Sequence, residues 1–292
     1  MHINLNGTKI FFEVYGAKLD MSGKKLQEKP TFIFLHGGSF IDHTPYVNFW
    51  SRFADVSQVI FIDHRGCGRS NSNTKDDWNL KQWGQDVFDF CQALNIEKPI
   101  VGGMSFGGYV ALSYLTQFPT HPAGIILTDT EANSSRERYL SRVRARLIEK
   151  GMDPNELVEI ADKVFSNNFS LDLLGPYFNI IQMFGRPVTQ IDNFAYTTTQ
   201  SFELSQHFGE HEMFNFDFRD KLKNVNCPML YLASDDAPLH TLENARELVA
   251  VYPKEKMQFE VFKNASSPTY DYDPIRAETL IRTFIKSLNQ GA

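Results

Sequence analysis

Cysteine is scarce in this chain of 292 residues: there are three, Cys67, Cys91 and Cys227, widely and irregularly spaced. No C-x-x-C pair occurs, which argues against a zinc ribbon or a disulfide framework and leaves buried thiols in a reducing compartment as the expectation. Positive charge is not in excess. Twenty-nine Lys and Arg stand against 35 Asp and Glu, a net charge of −6, so there is no basic footprint for nucleic acid. No run of about 18 apolar residues marks a membrane span, and the stretch Met1–Gly7 lacks the basic-then-apolar order of a signal peptide. These absences predict a cytoplasmic protein with neither membrane nor nucleic acid as partner. On that expectation the sequons at Asn133, Asn168 and Asn264 are chance matches. His207 and His211 share an i,i+4 spacing, but no Glu or third ligand accompanies them at zincin spacing. Neither a metal nor another cofactor is expected.

What the chain does have is an ordinary globular composition, 42% hydrophobic and 22% charged, and enough length to bury a large core. Ile3 to Tyr15 alternates apolar and polar residues around Asn6-Gly7, as a β-hairpin does. Lys18 to Lys29 is polar and reads as a loop. Four short apolar runs follow: Thr31–Leu35, Val59–Ile62, Pro99–Val101 and Gly124–Leu127. They stop at His36-Gly37-Gly38, Asp63, Gly102-Gly103 and Thr128-Asp129 in turn, as buried strands do. Between them, Leu80–Leu94 places apolar residues at intervals of three and four, and Val110–Phe118 continues as a helix to Pro119. Alternating strands and helices predict an α/β architecture, a mostly parallel sheet covered on both faces.

The alternation breaks between 132 and 217, where the chain is helix-rich and aromatic: Phe165, Phe169, Tyr177, Phe178, Phe184, Phe194, Tyr196, Phe202, Phe208, Phe214 and Phe216. Strand-like runs return at Met229–Leu232 and Met257–Phe262, and an amphipathic helix spans Pro274–Leu288. The expected organisation is therefore a core from 1–131 and 218–292, interrupted by a helical cap at 132–217. A connection of that length is an element in its own right. Its aromatics predict a partly apolar small-molecule ligand, although most of them are needed for the cap's own core and its seam.

One motif carries chemistry. Gly103-Met104-Ser105-Phe106-Gly107 follows a buried strand and opens a helix. In that setting small residues allow a tight turn, the serine hydroxyl stands above the sheet, and N–H groups at the helix start face a developing oxyanion.

Two further stretches, His36-Gly37-Gly38 and Asp63-His64-Arg65-Gly66-Cys67-Gly68-Arg69-Ser70, close the first and second buried strands. With the serine motif they resemble the α/β-hydrolase superfamily, in the branch of proline iminopeptidases and related esterases and lactonases. The resemblance covers nearly the whole chain and is weakest in the cap. It implies an α/β-hydrolase fold, a mostly parallel twisted sheet with helices on both faces and a helical cap insertion. It also implies Ser105 as nucleophile, the N–H groups of Gly38 and Phe106 as oxyanion hole, and His36, Ser39, Phe40 and Met104 as neighbours of the pocket.

The rest of that family's triad does not align. Its acid position falls on Ala237, in Cys227–Pro238, and its histidine position on Ser267, in Asn264-Ala265-Ser266-Ser267-Pro268. Ser39-Phe40 replaces the expected Pro-Gly of the oxyanion loop, and no histidine follows His240. The framework matches while the catalytic face departs, which points to an engineered or repurposed site. Asp129 and Asp236 are the candidate substitute acids, each with an alternative role in a turn or cap. His240 is the candidate base with the alternative of a residue opening a helix, and His36 and His64 are expected to brace loops. The expectation is a protein derived from a serine hydrolase of small esters, lactones or amides, a monomer or homodimer, with an altered or disabled triad. Two alternatives remain: a lyase, cyclase or isomerase on the same fold, or a binding pseudo-hydrolase.

Overall fold

The computed structural model describes residues 1–20, 26–72, 74–166, 168, 170–173, 175–177, 199, 201–237 and 239–289. Its centre is an eight-stranded sheet. The strands are β1 (His2–Leu5), β2 (Thr8–Tyr15), β5 (Thr31–Leu35), β6 (Gln58–Ile62), β7 (Ile100–Met104), β8 (Gly124–Thr128), β9 (Met229–Ser234) and β10 (Met257–Phe262). Their order is β1-β2-β6-β5-β7-β8-β9-β10. The first two pairings, β1 with β2 and β2 with β6, are antiparallel, and every later one is parallel. The stretch expected to be loop, Lys18–Lys29, carries a small separate hairpin of β3 (Leu19–Asp20) and β4 (Gln27–Glu28).

The apolar runs form central strands because both of their faces are covered. On β5, Ile33 and Leu35 join one core while Phe32 and Phe34 join the other; on β6, Ile60 and Ile62 part from Val59 and Phe61 in the same way. The second face is dense in rings, with Phe34 stacked on Trp50 at 4.4 Å and Phe49 on Tyr270 at 4.3 Å. Offset and edge-on aromatic packing of this kind adds to the burial of large apolar areas. Helices α1 (Val47–Trp50) and α9 (Pro274–Asn289) cover this face, and α2 (Leu80–Ala93), α3 (Phe106–Gln117) and α8 (Leu242–Val251) cover the other. Two expected boundaries move: β7 runs on through Gly102 and Gly103 to Met104, and α3 begins directly after Ser105.

The chain leaves the sheet after β8 and returns beside its point of departure. Asn133 bridges Asp217, Ser134 N–H donates to Phe216 C=O at 3.2 Å, and Phe218 N–H donates to Ala132 C=O at 2.8 Å. Between these ends lie α4 (Arg136–Glu149), α5 (Pro154–Val164) and α6 (Phe202–His211), and α7 (Arg219–Leu222) follows. Phe208 and Phe216 of this segment pack on Phe106 (4.8 Å) and Tyr109 (4.7 Å) of α3. Of the aromatics expected in the insertion, Phe169, Phe178, Phe184, Phe194 and Tyr196 lie outside the described residues.

All three cysteines are buried and unpaired, and burial raises the Cys91 and Cys227 thiols to about 12. Among the described residues, no helix is long and apolar enough to cross a membrane, and no group of three or more His, Cys, Asp or Glu could hold a metal.

Candidate active site

The turn between β7 and α3 is tight enough to dictate its glycines. A Cβ on Gly103 would meet Gly107 O at 2.3 Å, and one on Gly107 would meet Leu35 O at 2.0 Å. Ser105 between them adopts φ 49° and ψ −117°, a left-handed conformation that a non-glycine residue holds only under constraint. The constraint is visible: Ser105 N–H donates to Thr128 O and Asp129 O, and Thr130 Oγ1 donates to Ser105 O. The first turn of a helix leaves its N–H groups without intrahelical acceptors, so those of Phe106 and Gly107 stand beside the serine as anion donors.

The loop after β5 lies against this turn. A Cβ on Gly37 would touch Tyr46 OH, Met104 O and Ser105 Cβ, the last at 3.4 Å, and Gly38 takes a positive φ of 72°. His36 hydrogen-bonds within this loop and to His64. Its Nε2 accepts from His64 N–H at 3.3 Å, its Nδ1 donates to Gly37 O, and His64 Nε2 donates back to His36 O. Burial lowers the pKa of both imidazoles, so they serve as neutral struts. Ser39 O accepts a weak hydrogen bond from Cys67 Sγ, and Met104 Sδ one from Tyr270 OH. The residues replacing Pro-Gly hold the insertion's return: Phe40 O accepts from Ser201 N–H at 2.7 Å, and the Phe40 ring stacks on Phe202. Asp42 Oδ2 accepts from Thr199 N–H.

His240 stands on Ser105. Its Nε2 lies 3.2 Å from Ser105 Oγ, although it comes from the loop between β9 and α8, where the resemblance placed an acid. The loop is fixed by a buried chain of contacts, in which Thr241 caps α8 through Asn244 N–H and Asn244 Nδ2 donates to Glu131 Oε2. His240 is buried, and burial, then the Arg142 charge, pushes its pKa down to about 3. Its Nδ1 is buried with no hydrogen-bond partner among the described residues.

Neither candidate acid serves that nitrogen. Asp129 Oδ2 accepts from Thr269 N–H at 2.8 Å, and Oδ1 from the Thr269 hydroxyl at 2.6 Å, with Ser234 Oγ at 3.1 Å. Burial raises its pKa to about 6 in spite of those bonds. Its partner Thr269 lies on the loop after β10, the loop of Ser267, and its partner Ser234 ends β9. Asp236 pairs with Arg146 of α4 and, at 2.6 Å, with Lys150. Ala237 is buried and Ser267 half-buried. The pair His207 and His211 packs ring to ring at 4.5 Å, with His207 edge-on to Trp78.

Four residues near the site escaped sequence reading: Thr130, Tyr109, Asn244 and Arg142. Arg142 had a signal. It falls three residues after Tyr139 and one before Val143, on the apolar stripe Tyr139-Val143-Leu147 that α4 buries, where an arginine needs a partner.

A family profile described as alpha/beta hydrolase fold matches residues 30–266. A proline iminopeptidase of Heyndrickxia coagulans is 25% identical over 300 aligned residues, covering 96% of this chain and 99% of that one. The 3-oxoadipate enol-lactonase 1 of Acinetobacter baylyi is 26% identical over 238, with 79% of each chain covered. The solved structure of a proline iminopeptidase from Mycobacterium smegmatis superposes with a TM-score of 0.75 at 18% identity, over 100% of this chain and 99% of that one. At that identity the superposition supports the fold alone.

Proposed function

Since the chain belongs to the α/β-hydrolase fold family, we propose that it is a serine hydrolase of small esters, lactones or amides whose triad is altered to a Ser105–His240 pair. The observation that carries this reading is the 3.2 Å contact between Ser105 Oγ and His240 Nε2. A serine hydroxyl is a poor nucleophile at neutral pH and needs a base within hydrogen-bond reach. His240 Nε2 takes the Ser105 proton as Oγ attacks the carbonyl carbon. The N–H groups of Gly38 and Phe106 receive the negative charge on the carbonyl oxygen. The proton then passes from Nε2 to the leaving oxygen or nitrogen as its bond to carbon breaks. Water, deprotonated by the same nitrogen, releases the acyl group from Ser105. The segment 132–217 acts as the lid of this site.

The unpartnered Nδ1 makes it a weak site. A triad acid holds the imidazole in the tautomer that leaves Nε2 free, and here no described residue does so. That same nitrogen favours a second reading, a pseudo-hydrolase that binds a small molecule without turnover.

Fluorophosphonate labelling followed by peptide mapping tests the proposal. Modification of Ser105 that falls at least tenfold in His240→Gln supports a serine–histidine pair. An unmodified Ser105 at saturating probe sinks it in favour of the second reading.

A further inference from the structure

Arg142 is a cation without adequate bonding. An arginine carries five N–H donors in a planar fork. Here Nη2 lies 3.1 Å from Glu131 Oε2, an ion-pair contact. Neither Nη2 nor Nε nor Nη1 makes a hydrogen bond to any described residue, and all three atoms are buried. A buried donor left unmade costs the full desolvation of the group, and native structures keep few of them. The Tyr109 hydroxyl is in the same condition, buried and unbonded among the described residues.

Tyr109 and the Glu131 partner of Arg142 border the nucleophile, and the Arg142 charge reaches His240. Tyr109 is one turn along α3 from Ser105, with its N–H donating to Ser105 O, and its ring meets the His240 ring at 5.9 Å. Glu131 follows Thr130, whose hydroxyl donates to Ser105 O, and it holds Asn244 of the His240 loop. The surroundings of the serine–histidine pair therefore offer a guanidinium fork with several N–H donors and a phenol with one. The ligand that satisfies such a set is a planar anion with several lone pairs, which describes a carboxylate.

We propose that Arg142, with the Tyr109 hydroxyl, forms a carboxylate subsite of the Ser105 site, so that the substrate is a small ester, lactone or amide that itself carries a carboxylate. The assignment of substrate class rests on the hydrolase reading; the subsite does not. Glu131 holds the fork in place and gives up part of its contact when the ligand enters.

Binding to the Ser105→Ala chain separates the two. Calorimetry with monomethyl glutarate, a carboxylate, and dimethyl glutarate, its neutral counterpart, should show at least tenfold tighter binding of the carboxylate. Arg142→Gln should remove that preference and Arg142→Lys should keep part of it; equal binding of the two probes to Ser105→Ala overturns the subsite. If Arg142→Gln fails to fold, Glu131→Gln decides. With the competing carboxylate gone, monomethyl glutarate should bind at least threefold tighter, and unchanged or weaker binding overturns the proposal. The unaltered protein then supplies the second arm, with an expected kcat/KM at least tenfold higher for monomethyl than for dimethyl glutarate. Hydrolysis of both at equal rates overturns the subsite and leaves the hydrolase reading standing. Hydrolysis of neither, with carboxylate-selective binding intact, does the reverse.

Discussion

His240 Nε2 meets Ser105 Oγ at 3.2 Å from the loop after β9, while the loop after β10 directs Thr269 to the carboxylate of Asp129. The imidazole and the buried acid have parted company. An imidazole nitrogen is within reach of the serine hydroxyl, and the carboxylate beside the sheet's end is bonded elsewhere. On the proposed hydrolase reading, the chemistry that follows from this arrangement is that of a pair rather than a triad.

The first consequence is kinetic. In a serine protease, losing the acid alone costs about 3 × 10⁴ in kcat and losing the base about 2 × 10⁶. A serine–histidine pair without its acid therefore keeps on the order of 10² over a serine without a base. His240→Gln should lower kcat/KM on an activated ester by roughly that factor, about 10². Stopped-flow or plate-based release of the chromophore measures it. A loss below threefold would mean that another group accepts the proton.

The second concerns pH. An ordinary histidine loses its proton near 6.5 and gives an acid limb to kcat/KM there. Burial and the Arg142 charge hold His240 neutral down to about pH 3. The profile of kcat/KM between pH 5 and 8 should accordingly show no half-maximal point near 6.5. A limb centred there, lost in His240→Gln, would contradict the burial of the imidazole.

The third concerns the elbow itself. Ser105 holds φ 49° and ψ −117° against its own preference, a conformation that costs roughly 1–3 kcal/mol for a residue with a Cβ. Glycine adopts it freely but loses more entropy on folding, by about 0.5–1 kcal/mol. Ser105→Gly should therefore melt about 1–3 °C higher than Ser105→Ala, which keeps the strain without the hydroxyl. Differential scanning calorimetry on the two variants makes the comparison. A glycine variant that melts at or below the alanine variant would show that the neighbours have relaxed the turn.

Much of this was legible in the residues. The strands, the helices that cover them and the Gly103–Gly107 elbow announce themselves because buried parallel strands read as unbroken apolar runs, and because a Cβ at either elbow glycine would meet a backbone oxygen within 2.3 Å. His36 and His64 sit in motifs visible in the sequence, and their imidazoles and backbones hydrogen-bond to each other. The meeting of His240 with Ser105 was much harder to see. It joins residues 135 apart, and the proximity is set by a loop fixed through Thr241, Asn244 and Glu131, a buried network with no sequence pattern of its own. The family's pattern places its histidine after β10, where Ser267 stands, so the sequence offers His240, after β9, only as a candidate base beside a helix-opening alternative. Asp129 was visible as a strand-end carboxylate, but its orientation toward Thr269 is decided by side-chain packing alone.

That orientation yields the last prediction. Asp129 is buried, and its pKa is raised to about 6 mainly because burial disfavours the charged carboxylate, with the Thr269 bonds opposing. In the unfolded chain the group titrates near 3.9. Between these values the folded protein binds the extra proton, so the contribution of Asp129 to stability is full below the unfolded value. It is lost as pH rises through about 6. Asparagine keeps an acceptor for Thr269 N–H and a donor for the Thr269 hydroxyl, and it carries no charge to bury. The stability of Asp129→Asn relative to the unaltered chain should therefore rise between pH 4 and pH 8, by roughly 2–4 kcal/mol. Urea unfolding at pH 4, 6 and 8 reads this difference. A relative stability that stays level, or falls, across that interval would place the ionised carboxylate among partners strong enough to offset its burial.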